Sequence, residues 1–257
     1  MNNLWLTPKV LEWRVEPDGF SFANEKQWKR AHEIWAHAEQ VLSHPMTEFL
    51  RIDAITTLKR AIDHRVRLLN NLYSLRSIPI KDKPSEALSL LEFVGIVRPL
   101  MLQKLLDIRN AVEHEDATPP DFDTCQMFLE FTWYFLRSTD KMVQQVLESF
   151  SLLPPQDERY YGLSVHSGPE HNWLPKLRAW VTPDMLLNES KGGWLVLNVE
   201  KTETRGVLID RWNKSSDPVT NVDIGRGKFP NDTFISAEVR GPTEALVQLL
   251  KLYFEAV

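Results

Sequence analysis

The sequence predicts an α+β protein, with an N-terminal all-α helical bundle followed by a smaller C-terminal α+β domain. Two observations favour this architecture. Residues 25–151 show helical periodicity almost throughout, because apolar side chains recur there every three or four positions. After Pro154 and Pro155 the chain changes to short segments rich in β-branched and aromatic residues, which Gly, Asn, Asp and Pro separate. We therefore predict a helical domain at 1–156 and an α+β domain at 157–257.

The helical domain is predicted to contain five helices joined by short connections, which favours antiparallel packing in a bundle. Proline-containing breaks at Pro45, 78–84 and 118–120 separate several of them. The predicted helices cover residues 25–42, 46–76, 85–93, 97–115 and 121–150. The stretch before residue 25 is too irregular to assign.

The second domain is predicted to combine short strands with one helix. The strands are expected at 160–165, 194–199, 206–210 and 233–239. An amphipathic stretch at 243–254 follows Pro242, and proline is well suited to the start of a helix.

Composition narrows the function classes. The net charge of -5 argues against a protein held on nucleic acid by bulk charge alone. The chain has one cysteine, so no intrachain disulfide is expected, which favours a reducing compartment. We find neither a long apolar run nor a secretory signal pattern, and we therefore expect a cytoplasmic protein without membrane association.

The fourth predicted helix carries the residues that we single out for chemistry. Its apolar stripe consists of Val97, Met101, Leu105, Ile108 and Val112. At about 100° per residue, the opposite side carries Gln103, Asp107, Asn110 and His114, with Arg109 at its flank. His114 is therefore predicted to lie away from the core. An ordinary surface helix end is the alternative, because the helix dipole favours histidine near a C-terminus.

The segment RNAVEH at residues 109–114 resembles the motif of the HEPN superfamily, in which a histidine follows an arginine after a few residues and a polar residue commonly comes directly after the arginine. Its context is similar to the family as well. The segment lies late in the fourth element of a helical bundle, before a short proline-containing break and a long apolar helix. The resemblance covers residues 25–150 and implies a HEPN-like helical domain.

The resemblance implies a homodimer with a composite active site, in which the motifs of two chains meet across a cleft. Many family members are metal-independent endoribonucleases, often toxins or abortive-infection effectors, so RNA is the implied substrate and neither a metal nor another cofactor is expected. His114 would then be a general acid or base, Arg109 would stabilise charge on the scissile phosphate, and Asn110 would position the phosphate or hold the histidine. An antitoxin or a regulatory partner is a further expectation.

These residue types suit RNA cleavage on chemical grounds. RNA supplies its own nucleophile, the 2'-hydroxyl, so the site needs proton transfer near neutral pH and compensation for the extra charge of the phosphorane. Imidazole, with a pKa of about 6.5, supplies the proton transfer, and a planar guanidinium supplies the charge compensation. The products would be a 2',3'-cyclic phosphate and a 5'-hydroxyl.

A second polar set lies on predicted helix 46–76, opposite its apolar stripe. Arg60, His64 and Arg67 are candidate substrate-binding residues if they border the same cleft, and Asp107 is a fourth candidate. A solvated helix face is the simpler interpretation. Acidic residues close to His114 work against phosphate binding; they are Glu113, Glu115 and Asp116.

Two other functions stay open. The chain could be a non-catalytic HEPN-type dimerisation or nucleotide-binding module, or the C-terminal domain could carry the activity while the bundle assembles it. In that domain Ser164, His166 and His171 lie close in sequence, but no nucleophile elbow surrounds the serine. Core packing explains most of the tryptophans, with base stacking by an exposed one as the alternative; they are Trp173, Trp180, Trp194 and Trp212.

Overall fold

The computed structural model describes residues 3–44, 47–98, 100–114, 118–155, 160–207 and 228–257, without the side chains of residues 25, 26, 101, 113 and 114. The helices in this part of the chain are α1 (Glu25–Leu42), α2 (Glu48–Tyr73), α3 (Ala87–Phe93), α4 (Leu100–His114), α5 (Phe122–Ser138), α6 (Asp140–Gln144) and α7 (Thr243–Ala256). The strands are β1 (Asn3–Leu6), β2 (Arg14–Phe22), β3 (Gln145–Leu153), β4 (Leu163–His166), β5 (Lys176–Val181), β6 (Leu186–Leu187), β7 (Leu195–Thr204) and β8 (Thr233–Gly241).

The chain divides into two compact units. The strand unit comprises the described residues of Met1–Phe20, Ser77–Lys81 and Leu147–Val257. The helical unit comprises those of Ser21–Arg76 and Asp82–Val146. The helical unit is therefore inserted between two parts of the chain that build the sheet.

The predicted architecture, an all-α N-terminal half followed by a smaller α+β domain, is wrong. Strands β1 and β2 come from the N-terminal stretch and belong to the same sheet as the strands after residue 144. The chain is α+β only in the broad sense that one unit is helical and the other combines an antiparallel sheet with helix α7. Short strands such as β1 take their conformation from distant partners, here β6 and β7, and so leave a weak local signal.

The predicted helix 121–150 is also wrong in its second half. Helix α5 ends at Ser138, and after the short α6 the chain becomes strand β3. The carbonyl oxygen of Leu136, in the last turn of α5, accepts a hydrogen bond from Arg65 Nη1 at 3.0 Å, which satisfies a terminal acceptor of the helix. In β3 the buried Phe150 and Leu152 alternate with serines, a period-two pattern.

Most other predicted elements are confirmed. The bounds 25–42 match α1, and predicted helices 46–76, 85–93, 97–115 and 243–254 match α2, α3, α4 and α7 within a few residues. The strands predicted at 160–165, 194–199 and 233–239 overlap β4, β7 and β8. The strand predicted at 206–210 falls partly in a helical turn at 205–207 and otherwise outside the described residues.

The described strands form one sheet in the order β2-β3-β4-β5-β8-β7-β1-β6. One face of it is apolar and buried, through Phe150, Leu152, Val165, Leu177, Ala179, Ile235, Ala237 and Val239. Helix α7 packs on this face: the Tyr253 ring meets Phe150 edge to face at 6.3 Å between centroids, and its hydroxyl donates to the Leu147 carbonyl. Because side chains alternate along a strand, the serines of β3, β4 and β8 and the charged residues of β5 and β8 lie on the other face.

The helical unit is built around α2, which packs against α1, α4 and α5. Its apolar stripe is fully buried at Leu58 and Leu69. Side-chain caps fix two helix starts. Thr47 accepts a hydrogen bond from the backbone N–H of Leu50 at the start of α2, and Asp121 accepts one from Thr124 at 2.8 Å at the start of α5.

Candidate functional site

Helix α4 positions the motif that resembles the HEPN superfamily. Leu102 and Leu105 are buried, whereas Gln103, Asp107 and Asn110 are exposed. The polar side of the helix is therefore accessible, as the periodicity predicts. The buried side includes Leu102, which the predicted apolar stripe omitted.

Arg109 and Asn110 are brought together on this helix. Arg109 is half-buried at the flank of the polar side, and its Nη1 donates to Asn110 Oδ1 at 3.0 Å. Because the Asn110 amide is uncharged, this bond orients the guanidinium without neutralising it. On the same helix, Gln103 Nε2 donates to Asp107 Oδ1 at 2.9 Å, which restrains that carboxylate.

His114 is the last residue of α4. Its side chain lies outside what the structure describes, as do the side chain of Glu113 and residues 115–117. The helical backbone places His114 five positions after Arg109, somewhat more than one turn of 3.6 residues. The cooperation of the two side chains stays a prediction.

The candidate residues on α2 lie next to α1. Arg60 and Arg67 are exposed and His64 is half-buried. Burial lowers the pKa of His64, and the positive charges of Arg67, Arg30 and Arg65 lower it further, while Glu33 opposes them. These charges belong to α2 itself and to α1, so a cleft shared by His64 and the α4 motif stays a prediction. The Nδ1 atom of His64 is buried and has no hydrogen-bond partner among the described residues.

A buried ionic cluster in the helical unit was missed by the sequence reasoning. The Arg65 side chain is fully buried, and its Nη2 lies 2.9 Å from Asp140 Oδ1. Its Nη1 also donates to the Thr139 hydroxyl at 3.0 Å. His32 Nε2 lies 2.8 Å from the same Asp140 oxygen, and Arg137 Nη1 lies 3.1 Å from Oδ2. Desolvation lowers the pKa of Arg65, and the Asp140 carboxylate counteracts this.

The sequence did contain a signal for this cluster. Arg65 stands three positions after Ile62 and four before Leu69, both in the apolar stripe of α2. A guanidinium at such a position must be buried with an acceptor, because an unpaired buried charge is very costly. Asp140, which supplies the acceptor, lies 75 residues away in the chain, so the partner could not be chosen from local pattern.

In the strand unit, the sheet face opposite the core forms a groove of about 590 Å³. Its floor is a polar row across three strands, because Ser151 pairs with Ser164 and Ser164 pairs with Arg178 in the strand register. Side chains at such directly opposite positions lie about 5 Å apart at Cβ. His166, two positions after Ser164 on β4, lines the same groove.

The polar row carries positive charge. Arg178 is exposed, and within the described residues it forms no ion pair. Burial lowers the pKa of His166, and the positive charges of His171 and Arg178 lower it further, while Asp18 opposes them. Asp18 lies at the edge of the row, where it accepts a hydrogen bond of 2.6 Å from the Ser151 hydroxyl.

Aromatic side chains form the rest of the groove lining. Trp180 and Phe234 are buried and meet edge to face at 5.8 Å between centroids, and the partly exposed Tyr161 packs against this pair. The Tyr161 hydroxyl donates to the buried carboxylate of Asp232. Tyr160, which directly precedes Tyr161 in the sequence, is also partly exposed and lines the groove.

Sequence patterns single out Ser164, His166 and Trp180 separately but do not bring them together. The segment of β5 was not predicted as a strand, although apolar residues stand at every second position, Leu177, Ala179 and Val181, with the buried Trp180 between the last two. Without β5, Arg178 has no register with Ser164. The signal that could have found the groove is therefore the alternation in β5 itself.

Comparison with known proteins adds no family assignment. The chain matches no protein-family model, and no curated protein or solved structure is significantly similar to it. The HEPN resemblance thus depends on the RNAVEH segment and its helical context. No helix in the described part of the chain has the length and apolar character that a bilayer span requires.

Proposed function

We propose that the protein is a metal-independent endoribonuclease of the HEPN type, acting in the cytoplasm as a homodimer of the kind used by toxins and abortive-infection effectors. The observation that carries this proposal is the Arg109–Asn110 pair on the accessible side of α4. Its hydrogen bond of 3.0 Å orients the Arg109 guanidinium on the helix. His114 ends the same helix.

In the proposed reaction a neutral imidazole removes the proton of the 2'-hydroxyl. The 2'-oxygen then forms a bond to phosphorus as the bond from phosphorus to the 5'-oxygen breaks. A protonated imidazole gives its proton to that leaving oxygen, which yields a 2',3'-cyclic phosphate and a 5'-hydroxyl. Arg109 stabilises the charge that develops on the phosphorane, and Asn110 holds Arg109 in position.

The need for two imidazoles supports the homodimer. Each chain contributes one His114, so two motifs facing each other supply the base and the acid. Large apolar side chains that are exposed on the helical unit are also available to a partner surface. On α4 and α5 these are Leu100, Phe122, Met127 and Tyr134, with exposures of 70%, 38%, 45% and 62%.

The test is cleavage of a mixed RNA pool by the purified full chain, with and without EDTA. We expect fragments ending in cyclic phosphate in both conditions. Arg109→Ala and His114→Ala should each reduce the cleavage rate by about 100-fold or more, because each removes a group that acts in the transition state. Both variants should give the same thermal unfolding curve and dimer mass as the wild type.

Lys104→Ala is the matched control, since it removes an exposed cation from the same helix and should leave the rate nearly unchanged. The proposal is wrong if the dimer cuts no RNA, or if cleavage survives both Arg109→Ala and His114→Ala. Arrest of cell growth by the wild type, relieved by His114→Ala, is the expected counterpart in vivo.

A further inference from the structure

We propose that the groove on the open face of the sheet binds a nucleotide, with its phosphate at Arg178 and its base against the tyrosines of the lining. This inference does not depend on the endoribonuclease proposal, because it concerns the strand unit and uses none of the α4 residues. It assigns a ligand class to the part of the chain that the HEPN resemblance does not cover.

The positive charge of Arg178 favours a phosphate at one end of the groove. Arg178 stands on the groove floor and forms no ion pair within the described residues. Ser164, its register partner on β4, presents a hydroxyl beside it. A guanidinium with an adjacent hydroxyl offers several donors to phosphate oxygens, and charge-assisted bonds of this kind are among the strong ones.

The neighbouring lysine of β5, unlike Arg178, forms an ion pair. Lys176 Nζ lies 3.3 Å from Glu200 Oε1 and is therefore neutralised by an ion pair. None of the described residues that line the groove is an aspartate or a glutamate, and the Asp18 carboxylate at its edge accepts the hydrogen bond from the Ser151 hydroxyl. An anionic ligand is therefore complementary to the groove, and Arg178 is the side chain on which its charge would be balanced.

The aromatic side chains of the lining favour a base at the other end of the groove, because contacts with neighbouring residues hold them. Tyr160 lies 6.0 Å from Trp13 between ring centroids. The hydroxyl of Tyr161 donates to Asp232 and accepts the backbone N–H of Lys228. Rings fixed in this way lose little conformational entropy when a ligand stacks on them, and stacking of a base on an aromatic ring contributes about 1–3 kcal/mol.

The groove is also of a suitable size. Its volume of about 590 Å³ lies within the range of about 300–1,000 Å³ that is common for small-ligand sites. An aromatic lining next to the Arg178 guanidinium fits a ligand that joins a planar ring to a phosphate. Both a free nucleotide and the end of a nucleic-acid strand have this chemistry.

The experiment is calorimetric titration of the full chain with the four ribonucleoside 5'-monophosphates. Guanosine and inorganic phosphate test the two halves of the ligand separately. A 5'-phosphorylated tetradeoxynucleotide tests a strand as the source, and it lacks the 2'-hydroxyl that the proposed nuclease reaction requires. We expect at least one monophosphate to bind at least tenfold more tightly than either half alone. Tighter binding of the tetranucleotide would support the proposal with a strand as the ligand.

Arg178→Gln should weaken this binding about tenfold or more, and Arg178→Lys should weaken it less. Tyr160→Ala should weaken the binding of the monophosphate but not the binding of inorganic phosphate. The matched control is Arg240→Gln, which alters an exposed arginine of β8 that pairs with Glu238 outside the groove, and it should bind normally.

Three results would overturn the proposal. They are no binding of any nucleotide at millimolar concentration, binding that Arg178→Gln leaves unchanged in a folded protein, and inorganic phosphate binding as tightly as the nucleotides. Because these assays do not measure RNA cleavage, their failure is distinguishable from failure of the endoribonuclease proposal.

Discussion

Two arginines of the helical unit occupy opposite environments. Arg65 is fully buried and paired with Asp140 at 2.9 Å, while Arg109 lies at an accessible helix side and bonds the neutral amide of Asn110 at 3.0 Å. The charge of a buried guanidinium that contacts a carboxylate is compensated inside the protein. A guanidinium bonded to an amide gains no charge compensation from that bond. The residue type is the same, and burial against a carboxylate gives Arg65 its role in stabilising the fold.

The largest effect that this comparison predicts is on stability. Asp140→Ala should lower the free energy of unfolding by about 3–5 kcal/mol, because it leaves the buried Arg65 without its carboxylate. Urea denaturation of the purified variant measures this. If Asp140→Ala does not fold, Asp140→Asn keeps a hydrogen-bond acceptor without the charge and should fall between it and the wild type.

The control for this prediction is Asp53→Ala, which removes an exposed carboxylate from α2 and should change the unfolding free energy by no more than about 0.5 kcal/mol. An Asp140→Ala protein that unfolds at the wild-type urea concentration would show that Arg65 does not need this charge. The contrast between the two arginines would then lose its basis.

The second prediction converts one environment into the other. Asn110→Asp places a carboxylate beside Arg109 and so imitates the Arg65–Asp140 pair at the surface. Two unit charges about 4 Å apart interact by about 1 kcal/mol in water and about 4 kcal/mol near a protein surface. RNA cleavage, if the proposed function is correct, should therefore fall about 10- to 100-fold, measured as the initial rate on a defined RNA.

Stability should hardly change in Asn110→Asp, because exposed ion pairs contribute little. Gln40→Glu makes the same charge change at an exposed position of α1 and should leave the cleavage rate nearly unaltered. Full activity in Asn110→Asp would mean that the charge of Arg109 is not used on the phosphate.

The same contrast explains what could be predicted from the sequence. The accessible side of α4 follows from a period of 3.6 residues within one helix, so Asp107 and Asn110 could be placed without other parts of the chain. The partners Arg65 and Asp140 come from different helices, and only one of them carries a local signal. Helix bounds such as Glu25–Leu42 were therefore predicted well.

The sheet was harder for the same reason. Strands β1 and β2 are short or irregular in pattern, and their places are set by pairing with distant strands. The groove residues Ser151, Ser164 and Arg178 form a row only when three strands are in register. The segment after Ser138 was predicted as helix because the apolar Val146 and Phe150 are four positions apart. This spacing places two residues on the same face of a helix, but also on the same face of a strand.

The smallest effect concerns His64, which belongs to neither arginine pair but lies among arginines. Its pKa is lowered in the folded protein by burial first, and then by Arg67, Arg30 and Arg65. The unfolded chain therefore binds a proton at His64 at a higher pH than the folded protein does. The contribution of His64 to the free energy of unfolding is therefore fully present above the unfolded pKa of about 6.5, and it is lost as the pH falls below that value.

His64→Gln should accordingly flatten the loss of unfolding free energy between about pH 8 and pH 5, relative to the wild type. The measurement is urea denaturation of both proteins across this range, and the difference between them removes the contributions of other titrating groups. A wild type that gains stability relative to His64→Gln on acidification would contradict the prediction, because it would mean that the folded protein favours the protonated imidazole. His64 would then resemble a histidine held by a carboxylate, and the cations of α1 and α2 would not be what governs it.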